Sequence, residues 1–367
     1  MLARRGAGWY AGAVLFLLLA IAIAWLFFGG GRRQFIAANS SSFSVEYARV
    51  QARAHHDAGV LVLGNSTAAE DFDTNWFNAH ADVKAVNLGV SSGHLYLFER
   101  MLAVAQVEKM RPRAIIVVLT PDLLSLHAHF DFLLNDLTML RNVADASDVR
   151  RLAHHTNDPL KYVRYAAPVA LRLPLYRADI RDFITRPRDR LAEAQHLRDW
   201  FQSFNAKTPA RELDTLFSVC RIGPLRNLKS AIERLKQEGQ TALIADYARV
   251  RAGFEGRAGQ PLAVDAFEAE RFRRVLQILS TAAPVWLAFA PYYDPDYEQY
   301  SAAYRRDFET TVRRVAAQNP KVNFIPDIAP ECSLFADTVH LNHLGAERFT
   351  QNLLISLGNL KASALPL

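Results

Sequence analysis

VLVLGNSTAAEDF, residues 60–72, opens with four consecutive apolar residues, breaks at Gly64-Asn65-Ser66 and passes directly into a helix-forming segment. A run that is apolar at every position, rather than at alternate ones, predicts a strand buried on both faces and hence a parallel sheet covered by helices. The same rhythm returns along the chain. Strands are expected at Val60–Leu63, Lys84–Leu88, Ala114–Leu119 (AIIVVL), Pro284–Ala290 and Val322–Ile325. Between them helical periodicity runs near 66–79, 93–110, 264–281, 297–317 and 344–357. The predicted architecture is α/β, a three-layer α/β/α fold with a flavodoxin-like parallel sheet.

The rhythm breaks once. From 128 to 262 no strong strand appears, only Arg-rich helical segments, which predicts a helical insertion after the third strand. Residues 148–190 carry ten Lys and Arg against five Asp, concentrating positive charge there. The expected organisation is an anchor at 1–36, the first part of the α/β domain at 37–127, the insertion or cap at 128–262, and the rest of the domain at 263–367. The polar stretch Ala37 to Ser44 reads as a tether between anchor and domain.

The anchor is Trp9 to Phe28, an uncharged run of 20 residues that reaches about 30 Å as a helix and so spans a bilayer. It is longer than a usual signal-peptide core and no small-residue cleavage site follows it, so a retained transmembrane helix is expected. Arg4 and Arg5 precede it and Arg32 and Arg33 follow it, giving a slight bias toward a cytoplasmic amino terminus with the rest of the chain outside.

Composition narrows the remaining choices. Of 367 residues, 50% are hydrophobic and 22% charged, which excludes a disordered, collagen-like or simple coiled-coil chain. The net charge of +6 fits an anionic partner, but no Lys/Arg block is long enough to serve as a nucleic-acid arm. There is no P-loop and no dinucleotide fingerprint, so no cofactor is expected. His127 and His129 form an H-x-H pair, yet no Cys or acidic cluster completes a shell, and no metal is expected. Cys220 and Cys332 are free thiols in a reducing compartment or one disulfide in an oxidising one; in a periplasmic domain the disulfide is expected.

In an open parallel sheet, chemistry gathers at the carboxyl ends of the strands. After the first strand, Ser66 projects a hydroxyl where helix-terminal N–H groups are at hand, although Asn65 or Ser66 is also suited simply to cap the helix. After the second, NLGVSSG (87–93) supplies Asn87 and a small-residue turn through Ser92 and Gly93 that lets backbone N–H groups face a ligand or merely serves helix packing. It also matches G-x-S-x-G at Ser91, but a nucleophile elbow follows several strands, and here only one precedes it. Before the last helix, DTVHLNHLG (337–345) sets Asp337 three residues ahead of His340, a separation that lets the carboxylate orient the imidazole.

These three blocks, in this order, resemble the SGNH (GDSL-like) hydrolase family, which places a nucleophilic serine after the first strand, oxyanion donors after the first three, and a D-x-x-H pair before the final helix. The resemblance covers about 58–126 and 284–357. It implies that Ser66 is the nucleophile, His340 the base and Asp337 its orienting acid, with oxyanion donors at Ser66 and at Ser92 or Gly93. Two positions depart from the pattern. Asn65 stands where the family has Asp, and Thr120, Pro121 and Asp122 stand where it has Asn. Loss of one oxyanion donor costs about 10²–10³ in rate, which favours weak hydrolysis or acyl transfer to a positioned acceptor over fast general esterase activity.

With the anchor and the segment AFAPYYDPDYEQY (288–300), the chain resembles the membrane-anchored branch of that superfamily, which includes the alginate and cellulose O-acetylation proteins and the D-alanyl transfer protein of teichoic acid synthesis. The resemblance implies an O-acyltransferase or acylesterase at the periplasmic face of the cytoplasmic membrane, acting on a cell-surface polysaccharide beside a multi-span acyltransferase. Asn65, Asn87, Asp122, Tyr292 and Tyr293 are the candidate substrate contacts. A noncatalytic glycan-binding or scaffolding subunit is the alternative.

Overall fold

A computed structural model of the chain describes residues 12, 14–19, 40–125, 132–140, 143–171, 176, 181, 184–189, 192, 233, 236–239, 263–291, 302–327, 331–335 and 340–358. Five strands, β1 (Val60–Leu63), β2 (Ala85–Asn87), β3 (Ala114–Leu119), β4 (Val285–Phe289) and β5 (Val322–Phe324), pair in parallel in the order β2-β1-β3-β4-β5. Leu61 at the centre of β1 aligns with Val86 on one side and Ile115 on the other. Both continuous apolar runs, VLVL and AIIVVL, are buried at every residue, as a strand covered on both faces requires.

The helices are α1 (Ser40–Ala54), α2 (Ser66–Asp71), α3 (Thr74–His80), α4 (Leu95–Val107), α5 (Phe132–Met139), α6 (Ala146–His155), α7 (Pro159–Leu171), α8 (Ala266–Ala282), α9 (Ala302–Ala316) and α10 (His343–Gly358). The connections from β1 to β2 and from β2 to β3 run in opposite directions across the sheet. Right-handed crossovers therefore place their helices on opposite faces. Val62, Ile116, Val118 and Ala288 pack with Phe72 of the α2–α3 corner, Phe77 of α3, and Phe349 and Leu353 of α10. On the other parity of the strands, Leu61, Leu63, Val117 and Leu287 are fully buried, and α8 packs against α4, α9 and β4.

The chain divides into two compact units, one of Met1–Tyr47 with Leu133–Phe201, the other of Ala48–Phe132 with Gln202–Leu367. The second contains the whole sheet. In the first, α6 packs on α7, and the inward face of α6 is Asp148, Leu152 and His155. The same periodicity leaves His154 at the surface and buries His155, one position on.

Two boundaries also differ from the sequence reading. The tether is shorter than expected, because Ser40–Ser44 belong to α1, whose Val45, Ala48 and Ala52 recur at helical spacing and are buried. The single helix expected over 66–79 is two, because Asp73 accepts from the Trp76 amide and starts a new N-terminus. Within the apolar run 9–28, residues 14–19 are helical with every side chain from Val14 to Leu19 exposed, and most of the rest lies outside the described residues. Among the described residues no helix is long and apolar enough to cross a membrane.

One contact sets how closely the β2 turn approaches α2. A Cβ built at Gly89 would lie 2.5 Å from the Ala69 amide nitrogen, and nothing but glycine fits there. Gly89→Ala is therefore expected to push α2 outward at a cost of about 1–3 kcal/mol, read as a lower thermal unfolding midpoint. An unchanged midpoint would contradict this contact.

Candidate active site

The site lies where the sheet order reverses, between the carboxyl ends of β1 and β3, the position at which an open parallel sheet leaves a crevice. Asn65 ends β1 and is the N-cap of α2, its Oδ1 accepting from the Thr67 amide at 3.1 Å and the Thr67 hydroxyl at 2.8 Å. Because Oδ1 faces an N–H, the other end of the amide is the donor, and Nδ2 donates to Thr120 Oγ1 at 2.8 Å. Asn65 thus does the capping and ties β1 to β3, leaving its neighbour Ser66 free of that task. Asn65 is buried, and both ends of its amide are engaged within the protein.

Ser66 Oγ lies 3.0 Å from His340 Nε2, a hydrogen-bond contact between residues 274 apart in the chain. Both side chains are half-buried. Three ties set the imidazole. Asp71, fully buried on α2, accepts the Leu341 amide at 2.8 Å. Phe335 and Leu341 form an antiparallel bridge, and the Asn342 amide donates to the Leu334 carbonyl at 2.9 Å. Asn342 then caps α10 by accepting from the Gly345 amide at 2.9 Å. A Cβ at Gly345 would meet the Leu334 carbonyl oxygen at 2.1 Å, so glycine is required for the helix to start against this loop. A second carboxylate, Glu70, has Oε1 3.7 Å from His340 Nε2. Asp337 lies outside the described residues.

The β2 turn is brought beside Ser66 by ladder bonds that continue past the strands, from the Leu88 amide to the Val62 carbonyl and from the Val90 amide to the Gly64 carbonyl. Asn87 is spent on structure. Its Nδ2 donates to the Ala68 carbonyl at 2.7 Å and its Oδ1 accepts from the Gly89 amide at 2.9 Å, stapling α2 to β2. Within the turn, Ser92 holds a φ of 59°, the left-handed conformation usually given to glycine. The Gly93 amide is committed to the Val90 carbonyl at 2.8 Å, so of the two expected oxyanion positions Gly93 has its N–H engaged within the turn. Ser91 is buried, with no hydrogen-bond partner for its hydroxyl among the described residues.

After β3, residues 121–124 form a short 3₁₀ turn. Asp122 is half-buried there, its Oδ1 enclosed without a hydrogen-bond partner among the described residues. The Tyr304 hydroxyl donates to the Pro121 carbonyl at 2.5 Å, and burial pushes its phenol above the usual range, so it is protonated. Tyr292, Tyr293, His127, His129 and Cys220 lie outside the described residues, and Cys332 starts a short 3₁₀ turn, 332–334. Among the described residues no group of three or more His, Cys, Asp or Glu is placed to hold a metal ion.

Sequence reasoning passed over Glu70, although a carboxylate four residues after Ser66 on a helix shares its face. It also passed over His94, which caps the turn and is buried beside Glu268 and Arg271. Burial drives the His94 imidazole well below its usual range, the Arg271 charge adds to this, and the Asp122 and Leu123 backbones oppose it. The ring is therefore neutral. Its 3.8 Å approach to Glu268 is not an ion pair, and Glu268 is balanced instead by Arg271 at 3.2 Å.

No family model matches the chain and no curated protein matches it. Among solved structures it is similar to a protein provisionally named a platelet activating factor from Streptococcus pneumonia, at 10% identity and a TM-score of 0.35, over 86% of this chain and 93% of that one.

His94 makes stability depend on pH with a definite sign. Its folded-state value is depressed, so below about pH 6.5 the unfolded chain takes up a proton that the folded chain does not, and stability falls as pH falls. Between pH 7.5 and 5.5 the unmutated chain should lose about 1 kcal/mol more than His94→Gln, measured by urea unfolding at both pH values. Equal losses would contradict a neutral buried His94.

Proposed function

We propose that this chain is a serine-dependent acyl-transferring enzyme, with Ser66 as nucleophile and His340 as general base. The observation that carries this is the 3.0 Å contact between Ser66 Oγ and His340 Nε2 at the switch point of the sheet. As Oγ bonds to the acyl carbonyl carbon, its proton passes to Nε2 and the carbonyl electron pair moves onto oxygen. Collapse of that adduct breaks the donor's ester bond, and Nε2–H returns the proton to the departing oxygen. A second hydroxyl, from water or a sugar, then repeats the sequence on the acyl-serine.

In the fuller reading, Asp337 orients His340, and the chain is a single-pass protein of the cytoplasmic membrane held by the 9–28 segment. Its acyl acceptor is a cell-surface polysaccharide on the extracytoplasmic side, and a multi-span membrane acyltransferase supplies the donor. The apolar run at 9–28 supports the anchor and the Arg-rich 148–190 stretch supports an anionic glycan. Tyr292, Tyr293 and Asp122 are the proposed substrate contacts, and a Cys220–Cys332 disulfide would close the segment before Asp337. Thr120, Pro121 and Asp122 at the end of β3 offer no asparagine amide as an oxyanion donor, which favours transfer to a held acceptor over rapid hydrolysis.

A fluorophosphonate probe should form a covalent adduct on Ser66, located by peptide mass spectrometry. Ser66→Ala should remove the adduct and lower turnover at least about 10³-fold, while costing only about 0.5–1.5 kcal/mol of stability through the lost His340 contact. His340→Ala should match it, the double variant should be barely worse, and Asp337→Asn should keep more activity. Polymer acylation that persists at normal protein abundance in Ser66→Ala would overturn the enzyme reading in favour of a noncatalytic scaffold.

A further inference from the structure

Glu70 sits one helical turn beyond Ser66 on α2, and its Oε1 lies 3.7 Å from the same His340 nitrogen that contacts Ser66 Oγ. The two side chains are each 18% exposed, shielded enough for a charge on one to matter to the other. The spacing explains the meeting, since residues four apart on a helix share a face. The serine and the carboxylate therefore approach the imidazole from one rigid element, and the Asp71 bond to the Leu341 amide clamps the imidazole's own loop against that element.

We propose that Glu70 is a positioning residue for the acyl-transfer step, stabilising the His340 imidazolium from the side on which the proton travels. The inference rests on the reading of Ser66 and His340 as nucleophile and base. When Ser66 Oγ–H gives its proton to Nε2, a positive charge appears 3.7 Å from the Glu70 carboxylate oxygen, within ion-pair reach. Glu70 gains and loses no proton: the serine proton goes to Nε2 and then to the departing oxygen, while the carboxylate lowers the cost of the charged intermediate. It also holds the Nε2–H within the crevice, since a carboxylate beside it competes with bulk water as the acceptor. A negative charge fixed beside the reacting serine further disfavours an acyl donor whose own carboxylate or phosphate lies next to the ester, so the acyl group it suits is neutral or cationic.

Among the described residues the charged and titratable groups named at His340 and its loop are Glu70 and Asp71 on α2 and His343 at the start of α10; Asp337 lies outside the described residues. Asp71 is engaged with the Leu341 amide, which leaves Glu70 as the carboxylate with a contact to Nε2 itself among the described residues. The test is the rate of fluorophosphonate labelling of Ser66 across pH 5 to 9, on the full chain in membranes, for the unmutated protein, Glu70→Gln and Glu70→Asp. Removing a nearby negative charge destabilises the imidazolium. The acid limb of the Gln variant should therefore shift at least about half a unit to lower pH and its plateau rate should fall, with Asp between the two. A Gln limb that coincides with the unmutated one, whether or not the plateau falls, overturns the proposal while leaving Ser66 and His340 in place. An unmutated chain that labels at no pH overturns both. As a second readout, labelling by an acyl probe bearing a carboxylate next to the ester should rise in Glu70→Gln relative to its neutral analogue; an unchanged ratio overturns the selectivity.

Discussion

β1 is paired in parallel on both sides, and every other feature follows from its central place. A strand buried on both faces with parallel neighbours can be entered and left only by crossovers, and the sheet order makes the first two run in opposite directions. Helices then separate to opposite faces, and the carboxyl end of β1 is left without a helix packed over it. Gly64, Asn65 and Ser66 occupy that opening. Ser66 is therefore placed by topology, and the side chains around it have only to be aimed.

Aiming is done by polar groups that are themselves held. Asp71 grips the amide after His340, the Asn342 amide group grips the loop before it at the Ser333 carbonyl, and Asn87 fastens α2 to β2 through two carbonyl contacts while holding the Gly89 amide of its own turn. Each of these is a side-chain bond to backbone, which fixes position without depending on a second side chain's rotamer. The result is a serine on a six-residue helix and a histidine in a loop that meet across 274 residues. The cost of misplacing either is steep, because an error of about 1 Å in a reacting pair is worth about 10² in rate.

The sheet was legible because burial on both faces leaves a plain signal, and VLVL, AIIVVL and VWLAF all stand out from a polar background. Ser66, His340 and Asn65 were legible because they fall at strand ends or before the last helix, where the order of blocks gives them meaning. What sequence could not show was the spending of polar groups. Asn87 resembles a ligand contact until its amide is found on Ala68 and Gly89. The break at Asp73 was hidden because periodicity continues across it and only the N-cap bond to Trp76 reveals a new helix. His155 differs from His154 only by which side of α6 it faces, a difference of one residue in a period of about 3.6.

Asparagine rather than aspartate at position 65 has a local consequence that bears on the proposed chemistry. Oδ1 of Asn65 is fixed as an acceptor by the Thr67 amide, so Nδ2 must donate, and the acceptor it finds is the Thr120 hydroxyl oxygen. A carboxylate in that place could only accept, and would take the Thr120 hydroxyl proton to itself. With asparagine, the Thr120 oxygen serves as the acceptor and its own hydroxyl proton is not taken by position 65. Thr120 is 1% exposed, so that proton is not aimed at bulk water. Asparagine also leaves the residue before Ser66 uncharged, while Glu70 brings a carboxylate four residues later, its Oε1 3.7 Å from His340 Nε2. In the proposed mechanism the carboxylate 3.7 Å from Nε2 therefore lies beside the imidazole that becomes positive and stabilises it, while the residue before Ser66 adds no charge of its own against a developing oxyanion.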